Sequence, residues 1–254
     1  MNAARHSIRA GATACLAAAI GWFIHSTGFA MTPSHPFFTS GPQAALEIAI
    51  RADDVAAITT ALGHGASVNA TGRFDITPLM VAVDAQSPRA VLALLGAGAL
   101  PNARAQDGNG PVSLAVKSYL AKPYGRDIML AVFKAGGHPD TLQPDGDPVL
   151  MRFIYDRDVA DLKLMKELGA NLDILDRTGD PLITGVAMAQ DWDMVWALIE
   201  LGVRYDYEHG QSRQPLSLAF KGRYPAPDSP LYAYKLKVWH FLKDKGIALV
   251  PMDR

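Results

Sequence analysis

Three aspartates crowd into the stretch "DTLQPDGDP": Asp140, Asp145 and Asp147. Closely spaced carboxylates are what a calcium loop offers, with oxygens at fixed intervals and a closing bidentate Glu. This stretch has neither that acidic spacing nor the Glu, and its Pro and Gly read as a turn that needs no ion. The histidines past the first thirty residues (His35, His64, His138, His209 and His240) are scattered without metal-ligand spacing. No Gly-x-Ser-x-Gly elbow and no phosphate loop occurs. The only cysteine, Cys15, lies in an apolar N-terminal run, so the rest of the chain has neither disulfide nor thiolate chemistry. The sequence therefore predicts no enzyme, no cofactor and no metal site.

The residues that remain suited to recognition are tyrosines and arginines, which anchor protein interfaces by offering large contact area at low entropy cost. Five of the eight tyrosines (Tyr119, Tyr124, Tyr224, Tyr232 and Tyr234) lie in or beside two stretches, "SYLAKPYGRD" and "KGRYPAPDSPLYAYK". Lys122, Arg126 and Arg223 accompany them.

What positions these stretches is a repeat. Prolines open helices at Pro78, Pro111, Pro148, Pro181 and Pro215, 33 to 37 residues apart. Pro suits the first helical position because its φ is preset and its missing N–H has no partner there anyway. In "DITPLMVAV", Thr77 can cap the helix that Pro78 begins. An apolar residue follows each Pro (Leu79, Val112, Val149, Leu182, Leu216). A small residue sits four positions after most of them (Ala82, Ala115, Gly185, Ala219), with Arg152 there in the fourth unit. A second helix follows, as in "AVLALL" and "MVWALI", and ends at a glycine that can adopt the left-handed C-cap. These glycines, Gly65, Gly98, Gly136, Gly169 and Gly202, share the proline period. An Asn or Asp such as Asn69, Asn102 or Asp173 then leads into a turn. No unit can bury its apolar face alone, so the units must stack.

This pattern resembles the ankyrin repeat, whose unit is a turn, Thr-Pro-Leu-His, an Ala-rich helix, a Leu-rich helix and a Gly-Ala ending. The resemblance covers about residues 40 to 250. It departs at the His, replaced by Met80, Ser113, Leu150, Ile183 and Ser217, and at the shortened Gly-Asp-Pro turns of Gly146 and Gly179. The implied fold is an all-α ankyrin-repeat solenoid of about six helix-turn-helix units, at 40–70, 71–103, 104–140, 141–173, 174–207 and 208–250. Local irregularity is expected around 141–155.

Ahead of it, residues 1–30 have the layout of a signal peptide. Arg5 and Arg9 are followed by an apolar run that is short for a membrane span, then by Gly28 and Ala30 before a cleavage point. Residues 31–39 would be a short linker. An uncleaved inner-membrane anchor facing the periplasm is the alternative. The net charge of −1 becomes −3 without the first thirty residues, which gives no concentrated basic face for nucleic acid.

From the opening Pro to the closing Gly, the third and sixth units are longer than the others, and both insertions fall between the first and second helices. Insertions at one point of a repeat emerge on one face. That edge should then also hold Tyr155 and Arg157 of the fourth unit and Asp191 and Trp192 of the fifth. The turn tips around Arg73, Phe74 and Asn109 form a second candidate group. The expected partner is another protein, and the chain a monomer when unbound. The resemblance to exported bacterial ankyrin proteins adds a sharper option: an immunity protein against a secreted toxin, such as a type VI secretion phospholipase. A periplasmic scaffold for an endogenous partner, stress-related in role, is the alternative. The helix phase places Leu94 and Leu198 in the core, so Leu→Ala at either site should cost about 2–5 kcal/mol in chemical denaturation; a loss under about 0.5 kcal/mol would refute the phase.

Overall fold

Thr77 caps its helix. In the computed structural model, which describes residues 36–119, 121–207, 216–221 and 225–249, its hydroxyl oxygen accepts from the Met80 N–H at 3.3 Å. Pro78 takes the first helical position. Asp54 and Asp158 cap the second helices that follow them, through the N–H groups of Ala57 and Asp161. Residues 1–30, expected to be a signal peptide, and most of the expected linker lie outside the described residues.

Helices come in pairs: α1 (Gly41–Arg51) with α2 (Val55–Gly63), α3 (Pro78–Asp84) with α4 (Pro88–Gly96), and α5 (Pro111–Ser118) with α6 (Gly125–Lys134). Next are α7 (Met151–Tyr155) with α8 (Val159–Glu167) and α9 (Leu182–Met188) with α10 (Trp192–Glu200). A 3-10 turn, Leu216–Lys221, then precedes α11 (Pro230–Asp244). The chain is all-α: among the described residues the only ladder contacts are isolated bridges, Leu142 with Pro148 and Leu175 with Pro181. First helices pack on first helices (α1, α3, α5) and second on second (α2, α4, α6; α10, α11), so each pair lies against the next. Leu94 and Leu198 are fully buried between them.

Two backbone positions recur with positive φ. The closing glycines, including Gly246, have φ between 78° and 95°, where a Cβ would be strained. Between the two helices of a pair stands a non-glycine residue in the same region: Asp53, Gln86, Arg157 or Gln190, with φ of 52–61°.

Counting from that second position corrects the expected register. Four residues before it stand Ala49, Ala82, Phe153 and Val186, all buried. In the fourth unit the position expected for Arg152 therefore belongs to Phe153. In the fifth, Gly185 is exposed with open space around it, and Val186 takes its place. Pro148 and Pro181 do not open helices at the first position. Counted from the junction residues they sit one place earlier, in register with Thr77: Pro181 immediately precedes α9, Pro148 stands three residues before Met151 where α7 begins, and each is paired across its turn in a bridge. The Gly-Asp-Pro turns cause the shift: Asp147 and Asp180 donate their N–H groups to Asp145 and Asp176, which fixes a turn ahead of the helix. The last unit also differs from expectation. Its α11 has 15 residues against 9 in α10, so Tyr232 and Tyr234 belong to a helix and not to a loop.

The Asn and Asp after each closing glycine do more than lead into turns. Asn69 accepts from the Leu100 N–H and donates to the Gly98 carbonyl, both at 2.9 Å. Asn102 does the same with His138 and Gly136 at 2.8 Å. Asp140 and Asp173 accept from the N–H groups of Asn171 and Arg204. Each unit is thus tied to the backbone of the next. Asn102→Ala should cost about 1–3 kcal/mol, two bonds at typical net worth, with circular dichroism unchanged below the transition; a shift in midpoint too small to resolve would refute the tie.

Candidate functional site

The edge where each first helix ends is the place to which the sequence assigned recognition. Its local geometry follows from the left-handed junction residues, because each of them reaches into the next unit. Asp53 accepts from the Ala90 N–H at 2.7 Å, and Arg89 donates to the Asp53 carbonyl at 2.6 Å. Gln86 donates to Ser118 Oγ at 3.3 Å, and Gln190 to the Ala219 carbonyl at 2.9 Å. Arg157 forms ion pairs with Asp191 and Asp193. In the third unit, Arg126 reaches the buried carboxylate of Asp161 at 2.6 Å. The junctions of the third, fourth and fifth units therefore follow one another. Arg126, Arg157 and Asp191 join units together there.

Two predicted contact residues are core. Tyr119 is only 3 % exposed, its ring 4.8 Å from that of Phe153. The shifted register places Phe153 where other units hold Ala or Val, and Tyr119 covers it. Burial pushes the Tyr119 phenol well above its usual range, helped by Asp158, Asp156 and Asp161. Trp192 is fully buried, stacked 4.6 Å from Phe220, with its Nε1–H donated to Gln190. Both were misassigned because an aromatic near the junction between two helices reads the same in sequence whether it turns in or out.

The rest of the third-unit insertion does stand out. Gly125 lets it fold tightly: a Cβ there would meet the Ser118 carbonyl oxygen at 2.2 Å. The turn carries Lys122, exposed, and Tyr124, 49 % exposed. Tyr155 is 60 % exposed at the end of α7. Arg223 and Tyr224 lie outside the described residues. Tyr232 is half-buried and Tyr234 exposed, both on α11. At the turn tips, Arg73 lies over the exposed Phe74 ring, whose φ is 61°. Asn109 is held within its own turn by Asp107 through both its backbone N–H and its Nδ2. In "DTLQPDGDP", the oxygens of Asp140, Asp145 and Asp147 accept from the N–H groups of Asn171, Asp147 and Arg177. No three His, Cys, Asp or Glu side chains converge on a metal position among the described residues.

Sequence reasoning missed a row that the structure makes plain. Two residues before each left-handed junction residue come Arg51, Asp84, Tyr155 and Met188, and Lys117 holds the matching place in the third unit. Each lies at or beside the exposed end of a first helix. Met188 is 44 % exposed. Burial raises the Asp84 carboxyl above its ordinary range, and it outweighs the pull of Arg51, Lys122 and Lys117 in the other direction. The signal was available as a fixed offset, but only once the junction residues were known. A cavity of about 220 Å³ lies elsewhere, between the turns lined by Arg104, Val112, His138 and Thr141.

No protein-family model matches the chain, and no curated protein matches it.

The raised Asp84 carboxyl has a sign that can be tested. Its ionised form is disfavoured in the fold, so it subtracts from stability above the carboxyl range and not below it. Asp84→Asn should therefore be more stable than the parent at neutral pH, with the difference fading by about pH 3, where the carboxyl is protonated folded and unfolded alike. Denaturation curves showing the variant less stable at neutral pH would contradict this.

Proposed function

We propose that this chain is an ankyrin-repeat protein that binds another protein through the edge where its first helices end. The period shared by helix starts and closing glycines supports the family, and so does the tie from each unit to the next. One observation carries the binding site. Tyr124, Tyr155 and Met188 hold large apolar side chains in water along consecutive units, while their charged neighbours Arg126 and Arg157 are held by internal pairs. A stack that uses its charges internally and leaves aromatic groups outside offers anchors that a partner can desolvate. Lys117 and Lys122 rim this row. The reading includes export to the periplasm, in keeping with the layout of residues 1–30. Among the described residues no helix is long and apolar enough to cross a membrane. Neutralising a secreted toxin, such as a type VI secretion phospholipase, is the specific role proposed.

The experiment asks whether a secreted phospholipase is encoded beside the gene, and then mixes the two proteins and measures affinity by calorimetry and residual lipase activity. A complex with loss of activity is expected, and Tyr124→Ala and Tyr155→Ala should each weaken it by about 2 kcal/mol or more as interface anchors, with unchanged circular dichroism. Absence of a complex would sink the immunity role. A complex indifferent to both variants would move the site to the turn tips at Arg73 and Phe74.

A further inference from the structure

The row at the ends of the first helices changes character part-way along. From the first unit to the fifth it reads Arg51, Asp84, Lys117, Tyr155 and Met188, charged for three units and apolar for two. The third-unit insertion stands at the change and repeats it within itself, with Lys122 exposed just ahead of the exposed Tyr124. The charged part is short of partners. Arg51 is taken up by the buried Glu47 at 2.8 Å. Lys117 and Lys122 are exposed and form no ion pair among the described residues. Both act on the half-buried Asp84 through space, as Arg51 does, and none of the three meets its carboxylate in an ion pair. Two free ammonium groups against one half-buried carboxylate give this end an excess of positive charge.

The apolar end has the opposite surroundings. Burial pushes the Tyr155 phenol above its ordinary range; the carboxylate of Asp147 adds to this, Arg177 opposes it, and Asp176 and Asp145 add again. These carboxylates belong to the turns ahead of the fourth and fifth units, so a segment laid along the row passes from cations, over aromatic groups, to acids. Carboxylates of a partner are favoured at the first end and repelled at the second, which sets a direction. We propose that this edge takes a partner segment whose acidic end lies at Lys117 and Lys122 and whose apolar residues then cover Tyr124, Tyr155 and Met188. The proposal rests on the reading of this edge as a recognition surface and adds the partner's charge and its direction. One extended stretch is long enough: steps of about 10 Å between units put Asp84 and Met188 about 30 Å apart, the reach of about nine residues.

The test uses the intact chain and a dye-labelled synthetic peptide of about ten residues, with glutamates at one end and leucine and tryptophan at the other, made in both chain directions. Fluorescence anisotropy should show saturable binding by one of the two. Lys117→Glu combined with Lys122→Glu should weaken it about tenfold or more, and so should lysine in place of the peptide's glutamates. Asp84→Asn should tighten it about twofold or more, because a like charge beside the peptide's carboxylates is removed. Tyr124→Ala and Tyr155→Ala should each weaken it. Circular dichroism checks every variant, and Lys117→Gln with Lys122→Gln serves if the double reversal does not fold. No binding by either peptide would overturn the proposal, while the edge itself is still judged by the calorimetry above. Binding that survives both lysine changes would overturn the acidic end alone. Binding that falls with the lysines but not with Tyr124 or Tyr155 would overturn the reading of the edge and the proposal with it. A dimer in sedimentation that the lysine variant dissolves, or vesicles of anionic lipid that displace the peptide, would overturn the proposal in favour of another occupant.

Discussion

No helix pair in this chain can hide its apolar face alone, so the bonds that fix one pair against the next carry everything else. They are short and polar and fall at two levels. On one side, Asn69, Asn102, Asp140 and Asp173 reach the backbone of the following unit just past its closing glycine. On the other, the junction residues Asp53, Gln86, Arg157 and Gln190 reach the following unit from between the helices. A non-glycine residue in the left-handed region gives up about 1–2 kcal/mol of conformational energy. Glycine would avoid that cost and lose the bridge, which explains why these four positions keep side chains while the closing positions are glycine.

The same linkage shows where the stack has slipped. At Pro148 and Pro181 the turn ahead of the helix is fixed by Asp145 and Asp176, and the proline, counted from the junction residue, falls one place earlier than Pro78 does. The helix then presents a different residue to its neighbour, and the gap fits Phe153 and Val186 where earlier units fit alanine. Tyr119 fills the space that Phe153 opens, which withdraws it from the surface.

The recognition proposed for this chain draws on what these demands leave over. Arg126, Arg157 and Asp191 are spent on joining units, and Tyr119 and Trp192 on the core. Tyr124, Tyr155 and Met188 answer to no internal partner of that kind; Tyr155 and Met188 hold equivalent positions of consecutive units, and Tyr124 stands in the insertion of the unit before them.

The sequence alone determined the period, the helix pairs, the glycine turns and the burial of Leu94 and Leu198. Those depend on local rules: proline fixes φ, glycine admits the left-handed region, and apolar residues at helical spacing define a face. The sequence could not say which aromatics along the proposed edge turn inward. Tyr119 and Tyr124 sit five residues apart in one insertion, and one is core while the other is exposed. That choice depends on Phe153, more than thirty residues away, and on a one-residue shift at Pro148 that local preference does not reveal. Nor could it show that Arg157 pairs with Asp191 and Asp193. Direction of side chains, pairing of charges and the row of Asp84, Tyr155 and Met188 are set by which units touch, and only the tertiary structure decides that.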